Sequence, residues 1–319
     1  MQKFTTLLKQ WVERFFVLIR FLALQSKKIK PPFFKGLSLY DIVSFFLKGL
    51  YEGAITMRAG AVSFSLFMAL FPAIIFIFTL IPYIPIDGFQ ERIFLALQEI
   101  LPRSAYDAAK DTILDILNNK RGDLLSITFI FALVFATNGT LALISGFSYT
   151  YHKIGIKNLW QQYVSALWLT VLLSVLVLLS LVLVSLGETF LSHMIQQGYF
   201  GVNTARVITA GRILALIATI QLAISMLYNY GSAKAGQWKF LSPGSILATF
   251  LVIVSSIAFG YYVDNLAQYN KLYGSIGTLL VIMLWIYVNA IGLIIGFELN
   301  ASIAGAKSYK AKKYKQPFL

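Results

Sequence analysis

Cysteine is absent from the 319 residues, which excludes disulfides, thiolate nucleophiles and cysteine-ligated metals. Histidine is nearly absent: His152 and His193 are the two present. Too few groups therefore remain for a zinc site or a serine–histidine–aspartate constellation. Charge is sparse, at 13%, where soluble domains carry about one quarter. No G-x-x-x-x-G-K-[ST] loop occurs, so the chain offers no cradle for the phosphates of ATP. A cleavable signal peptide is not expected, because Lys3, Lys9, Glu13, Arg14 and Arg20 interrupt the first apolar run.

What the chain has is apolar surface, at 58% hydrophobic residues. Six charge-free windows each match the length of a bilayer-spanning helix. They cover about 59–86, 124–151, 163–187, 213–230, 243–263 and 273–297. The fold expected is all-α: a polytopic membrane protein of six transmembrane helices. Residues 1–57 form an interfacial region of amphipathic helices, with a basic, proline-broken linker at 27–35. The alternative for the first 26 residues is a seventh span. Residues 58–303 form the transmembrane domain and 304–319 a basic tail. Pro72 and the Asn138-Gly139 pair are expected to interrupt the first and second helices, as in transporters with broken helices. Ordinary packing is the other reading of the same residues.

Orientation follows from the basic residues. Of the 27 Lys and Arg, nineteen fall on one side if both termini share it, and that side is expected to be cytoplasmic. The net charge of +14 then reads as attraction to anionic lipid at the inner surface, not to nucleic acid. The long outer loop, 87–123, is expected to hold short helices that cap the outer face. Its carboxylates, among them Asp87, Glu91, Asp107 and Asp115, read as a solvated side.

Polar residues inside a bilayer are costly and point to function. Arg58, Ser65 and Pro72 share one face of the first helix; Gln221, Ser225 and Asn229 share one face of the fourth. Asn289 and Asn300 share one face of the sixth, and Asn138 lies in the second. These eight polar residues are expected to line a cavity open to the cytoplasm or the inner leaflet, or else to hydrogen-bond helix to helix. Arg58 and Glu298 are expected to form an ion pair tying the first helix to the sixth. Gly292 and Gly296 make a G-x-x-x-G face for close approach within the bundle or between subunits, and Pro72 and Gly139 complete the packing set. Tyr261, Asp264, Asn265, Asn270 and Tyr273 crowd the last outer turn as a gate, a substrate contact or an aromatic belt.

Three stretches carry a family resemblance. The last helix reads Tyr273-Gly-Ser-Ile-Gly, then Leu284-Trp285-x-Tyr287, then Gly296-Phe-Glu-Leu-Asn-Ala301. Arg58-Ala-Gly-Ala61 runs on to Leu70-Phe71-Pro72, and Trp238 precedes Ser242-Pro243-Gly244. In order and spacing these resemble the YihY/BrkB family of bacterial inner-membrane proteins, once labelled ribonuclease BN. The resemblance implies a multi-pass protein of the bacterial cytoplasmic membrane.

No catalytic, metal or cofactor residue stands out, and no enzyme is expected. The expected function is passage or flipping of a lipid, amphiphile or anion without ATP. Arg58, Arg206 and Arg212 would attract an anionic head group. The alternatives are a structural or assembly protein of the envelope and, third, a membrane-associated ribonuclease. No oligomeric state follows from the chain.

Overall fold

A computed structural model of the chain describes residue 27 and residues 37–83, 122–150, 158–196, 202–231, 240–266 and 275–315. The expected N-terminal surface helix, the linker after residue 27 and the outer loop to residue 121 lie outside the described residues, as do Asn270, Tyr273 and His152.

Seven α-helices follow one another, with no strand among the described residues. They are α1 (Leu39–Glu52), α2 (Ile55–Leu80), α3 (Gly122–Ser148), α4 (Leu159–Gln196), α5 (Val202–Gly231), α6 (Pro243–Leu266) and α7 (Ser275–Lys315). All but α1 contain a stretch long and apolar enough to cross a membrane: Ile55–Thr79, Gly122–Ser148, Leu159–Ser180, Ile208–Gly231, Pro243–Val263 and Leu279–Lys307. The protein is thus an all-α polytopic membrane protein. The last helix runs on through the basic segment, to Lys315.

Local chemistry sets the helix starts. The Ser38 hydroxyl accepts the Asp41 N–H at 3.1 Å, an N-cap that opens α1. Asn158 accepts the Gln161 N–H at 3.0 Å before α4. Ser242 accepts the Ser245 N–H at 3.1 Å, and Pro243 takes the first position of α6, where a missing N–H costs nothing. The expected interruptions do not occur. α2 passes through Pro72 as one helix and α3 passes through Asn138-Gly139 as another. Pro72 removes a single backbone donor, which neighbouring groups in a packed bundle can compensate without breaking the helix. Gly139 serves packing: a Cβ there would come within 2.7 Å of the Leu66 side chain.

The core lies where one end of α2 meets α3, α5, α6 and α7. Phe147 stacks on Phe297 with ring centroids 4.4 Å apart, and Tyr228 meets both rings edge-on. Ala59, Val62, Ile144, Ile224 and Ile294 fill the space around them. α7 is the shared wall of this arrangement. One face packs on α6 and another on α2. Further along, Leu299, Ile303 and Ala306 take Ile42 and Phe45 of α1.

Candidate functional site

Arg58 sits in the first turn of α2, just after the Gly53-Ala54 turn that separates it from α1. Its guanidinium is a fork of fixed donors, and each donor that finds a partner finds one on a different element. Nε donates to the Gly146 carbonyl at the end of α3, at 2.7 Å. Nη1 donates to the Gly53 carbonyl at 2.9 Å and to Glu298 Oε2 on α7 at 3.2 Å. Nη2 is buried and makes no hydrogen bond. The other carboxylate oxygen of Glu298 accepts from the Thr150 hydroxyl at 2.8 Å. Arg58 is 8% exposed and Glu298 is wholly buried. This is a desolvated pair, in which each charge depends on the other. It joins α2, α3 and α7 at the end of the bundle where α1 is docked.

A second polar group lies on the neighbouring faces of α5, α6 and α7. Gln221 Nε2 donates to the Phe240 carbonyl at 2.8 Å and to Ser245 at 2.8 Å, and its Oε1 accepts from Thr249 at 2.7 Å. Ser225 donates to the same Phe240 carbonyl at 2.6 Å. Asn300 completes the group from α7: Oδ1 accepts the Gly244 N–H at 2.8 Å and Nδ2 donates to Ser242 at 2.9 Å. Asn300 thereby satisfies an N–H that the first turn of α6 leaves without a helical acceptor.

The close contact between α6 and α7 depends on glycine. A Cβ on Gly244 would fall 2.1 Å from the Gly296 carbonyl oxygen, and one on Gly296 would fall 2.5 Å from the Gly244 oxygen. Gly292 faces Leu251 of α6. The G-x-x-x-G face is therefore used inside the bundle, against α6.

The structure distributes the eight polar residues singled out in the sequence. Gln221, Ser225 and Asn300 share the network just described, and Arg58 pairs with Glu298. Asn289 stands apart, half-buried between α6 and α7, where Ser255 donates to its Oδ1 at 3.3 Å. Ser65 donates back to the Ala61 carbonyl of its own helix at 3.0 Å. Asn229 is half-buried near the end of α5, and Asn138 lies on an exposed face of α3. At the outer turn Tyr261 is exposed, while Asp264 and Asn265 belong to the last turn of α6.

Sequence reasoning missed Thr150, the Gly53 and Gly146 carbonyls, Phe240, Ser245 and Thr249. Ser242-x-x-Ser245 at a helix start was a visible signal for one of them. A backbone carbonyl that serves as a hub leaves no mark in the residue type. Among the described residues no group of three His, Asp or Glu side chains could hold a metal ion.

Comparison with known proteins gives a consistent result. The family described as Virulence factor BrkB matches over residues 46–317. The YfkH protein of Bacillus subtilis, whose name calls it ribonuclease-like, is 28% identical over 254 residues, covering 79% of this chain and 90% of its own. A UPF0761 membrane protein of Alteromonas mediterranea is 24% identical over 288 residues, 86% of this chain and 92% of that one. A UPF0761 membrane protein of Xanthomonas campestris is 29% identical over 91 residues, 28% of this chain and 21% of that one. No solved structure matches.

Proposed function

The chain belongs to the virulence factor BrkB family, and from that premise we propose that it is a transporter or flippase-like protein for a lipid, amphiphile or anion, working without ATP in the bacterial cytoplasmic membrane. Both termini face the cytoplasm in this reading, which puts nineteen of the 27 basic residues on the inner side. The ion pair and the Gln221 network then lie toward the inner leaflet, beside a surface that attracts anionic lipid.

The observation that supports the proposal is the guanidinium of Arg58. It is buried at the end of a span, and Nη2 has no hydrogen-bond partner. Ionisable groups inside a membrane domain are rare, pair with one another or with backbone carbonyls, and mark substrate and ion paths. The spare N–H bonds can serve an acceptor on a passing head group when the pair opens. Two residues along α7 from Glu298, Asn300 brings the second polar group to the same region.

The test is lipid scrambling in vesicles that contain the purified protein and a fluorescent phospholipid, with dithionite added outside. Transport predicts bleaching beyond the outer-leaflet half, and slower bleaching in Arg58→Lys. Bleaching that stops at one half, with no anion flux in a parallel assay, would move the reading to an envelope assembly protein.

That second reading has its own support. Gln221, Ser225, Ser245, Thr249 and Asn300 bond to one another and to backbone, as helix-packing groups do. The ribonuclease reading rests on the name of the Bacillus subtilis relative. It requires hydrolysis of RNA by the purified protein.

A further inference from the structure

We propose that the outward face of α3 around Asn138 is where two copies of this chain meet, with the two Asn138 carboxamides paired across a two-fold axis. Asn138 lies ten residues before Ser148, the nearer end of α3, which is about 15 Å along the helix axis. It is exposed, and its carboxamide makes no hydrogen bond among the described residues. Along the same stripe, one to three turns earlier, Val134, Phe131 and Ile127 are exposed as well. A primary amide held in hydrocarbon without a partner is costly. Lipid tails have neither donor nor acceptor to offer it.

The neighbours of Asn138 decide what can. A head group would need a polar path to that depth: toward the far end of α3 the stripe is Ile127, Phe131 and Val134, all apolar, and toward the nearer end Ala142 and Ser145 are half-buried, the Ser145 hydroxyl donating to Gln162 at 3.3 Å. A second copy of the same face needs no path. A carboxamide carries donors and an acceptor together, so two of them related by a two-fold axis exchange two N–H···O bonds, and the apolar residues beside them pack in the same contact. A two-fold contact of this kind is self-complementary by construction. The G-x-x-x-G face of α7 is the other feature suited to a subunit contact, and it is already occupied by α6.

The chain has no cysteine, so Asn138→Cys introduces a single thiol. In proteoliposomes treated with copper phenanthroline, Asn138→Cys is expected to form a disulfide-linked dimer, and Ile257→Cys, on the exposed side of α6, is not. Subunit energy transfer measured at increasing lipid dilution gives the dissociation constant. Asn138→Leu is expected to raise it roughly eightfold, the effect of two interhelical hydrogen bonds of average membrane strength. Asn138→Gln is expected to retain most of the affinity. A monodisperse elution profile and unchanged helical circular dichroism confirm that each variant folds. Equal cross-linking at the two positions, a monomer at every dilution, or an unchanged constant in Asn138→Leu would overturn the proposal. So would a tightly held lipid, found by native mass spectrometry, that Asn138→Leu loses while the protein stays monomeric.

Discussion

Arg58 and Glu298 stand 240 positions apart in the chain and 3.2 Å apart in the fold. Among the described residues the other partners of Arg58 are backbone carbonyls, and Thr150 gives Glu298 a neutral hydroxyl. Removing either charge leaves the other buried without the opposite charge it faces at 3.2 Å. Arg58→Ala and Glu298→Ala are each expected to cost about 3–5 kcal/mol, read as loss of the folded, monodisperse protein on heating in mild detergent. The double variant should be more stable than either single one, because it removes both buried charges. Equal and additive effects would mean that the pair is not coupled.

Arg58→Lys separates charge from geometry. Lysine keeps the attraction to Glu298 but cannot reach Gly146, Gly53 and Glu298 together with a planar fork. It should therefore fall between the wild type and Arg58→Ala in the same thermal assay. If it matches the wild type, the two carbonyl contacts contribute little.

The glycines give a graded series. Gly296→Ala would drive a methyl group into the Gly244 carbonyl and the Ala248 side chain, and backbone cannot move aside cheaply. The expected cost is about 1–3 kcal/mol or more, the usual range for overpacking. Gly292→Ala meets the Leu251 side chain at 3.3 Å, with its next neighbours at 3.9 Å, and should cost less. Gly60→Ala has nothing within 4 Å and should be neutral or slightly stabilising, since alanine favours the helix. Thermal midpoints should rank in that order. A Gly296→Ala protein as stable as Gly60→Ala would contradict the close α6–α7 contact.

The reach of the sequence can be argued from the same residues. The six spans were legible because a bilayer demands about twenty apolar residues in a row, and few other environments do. Arg58 and Glu298 stood out for the complementary reason: a charge beside an apolar run needs an explanation. Gly292 and Gly296 announced a close approach but not the identity of the neighbour. That neighbour is Gly244, whose own lack of a side chain is visible only once the two helices are placed together. The expected helix breaks at Pro72 and Gly139 failed because a proline costs one donor, and a glycine's freedom is not used where its helix is packed on Leu66. The Phe240 carbonyl was out of reach altogether, since any residue type supplies one.

The Gln221 network predicts an asymmetry. Gln221→Leu keeps the volume but removes one donor to the Phe240 carbonyl, which retains Ser225, and the acceptor for Thr249, whose buried hydroxyl is left unmatched. An unmatched buried polar group costs about 1–3 kcal/mol. Thr249→Val removes only one hydroxyl, and Gln221 keeps the contacts that its Nε2 makes to Ser225, Phe240 and Ser245. Gln221→Leu should therefore be the more harmful of the two. Adding Thr249→Val to Gln221→Leu should then cost almost nothing, because the hydroxyl it deletes has already lost its partner. Unfolding of the four proteins in one detergent, compared as a double-mutant cycle, measures this directly. Strictly additive effects would show that Thr249 and Gln221 act separately, and the hub at Phe240 would then have to be explained by Ser225 and Ser245 alone.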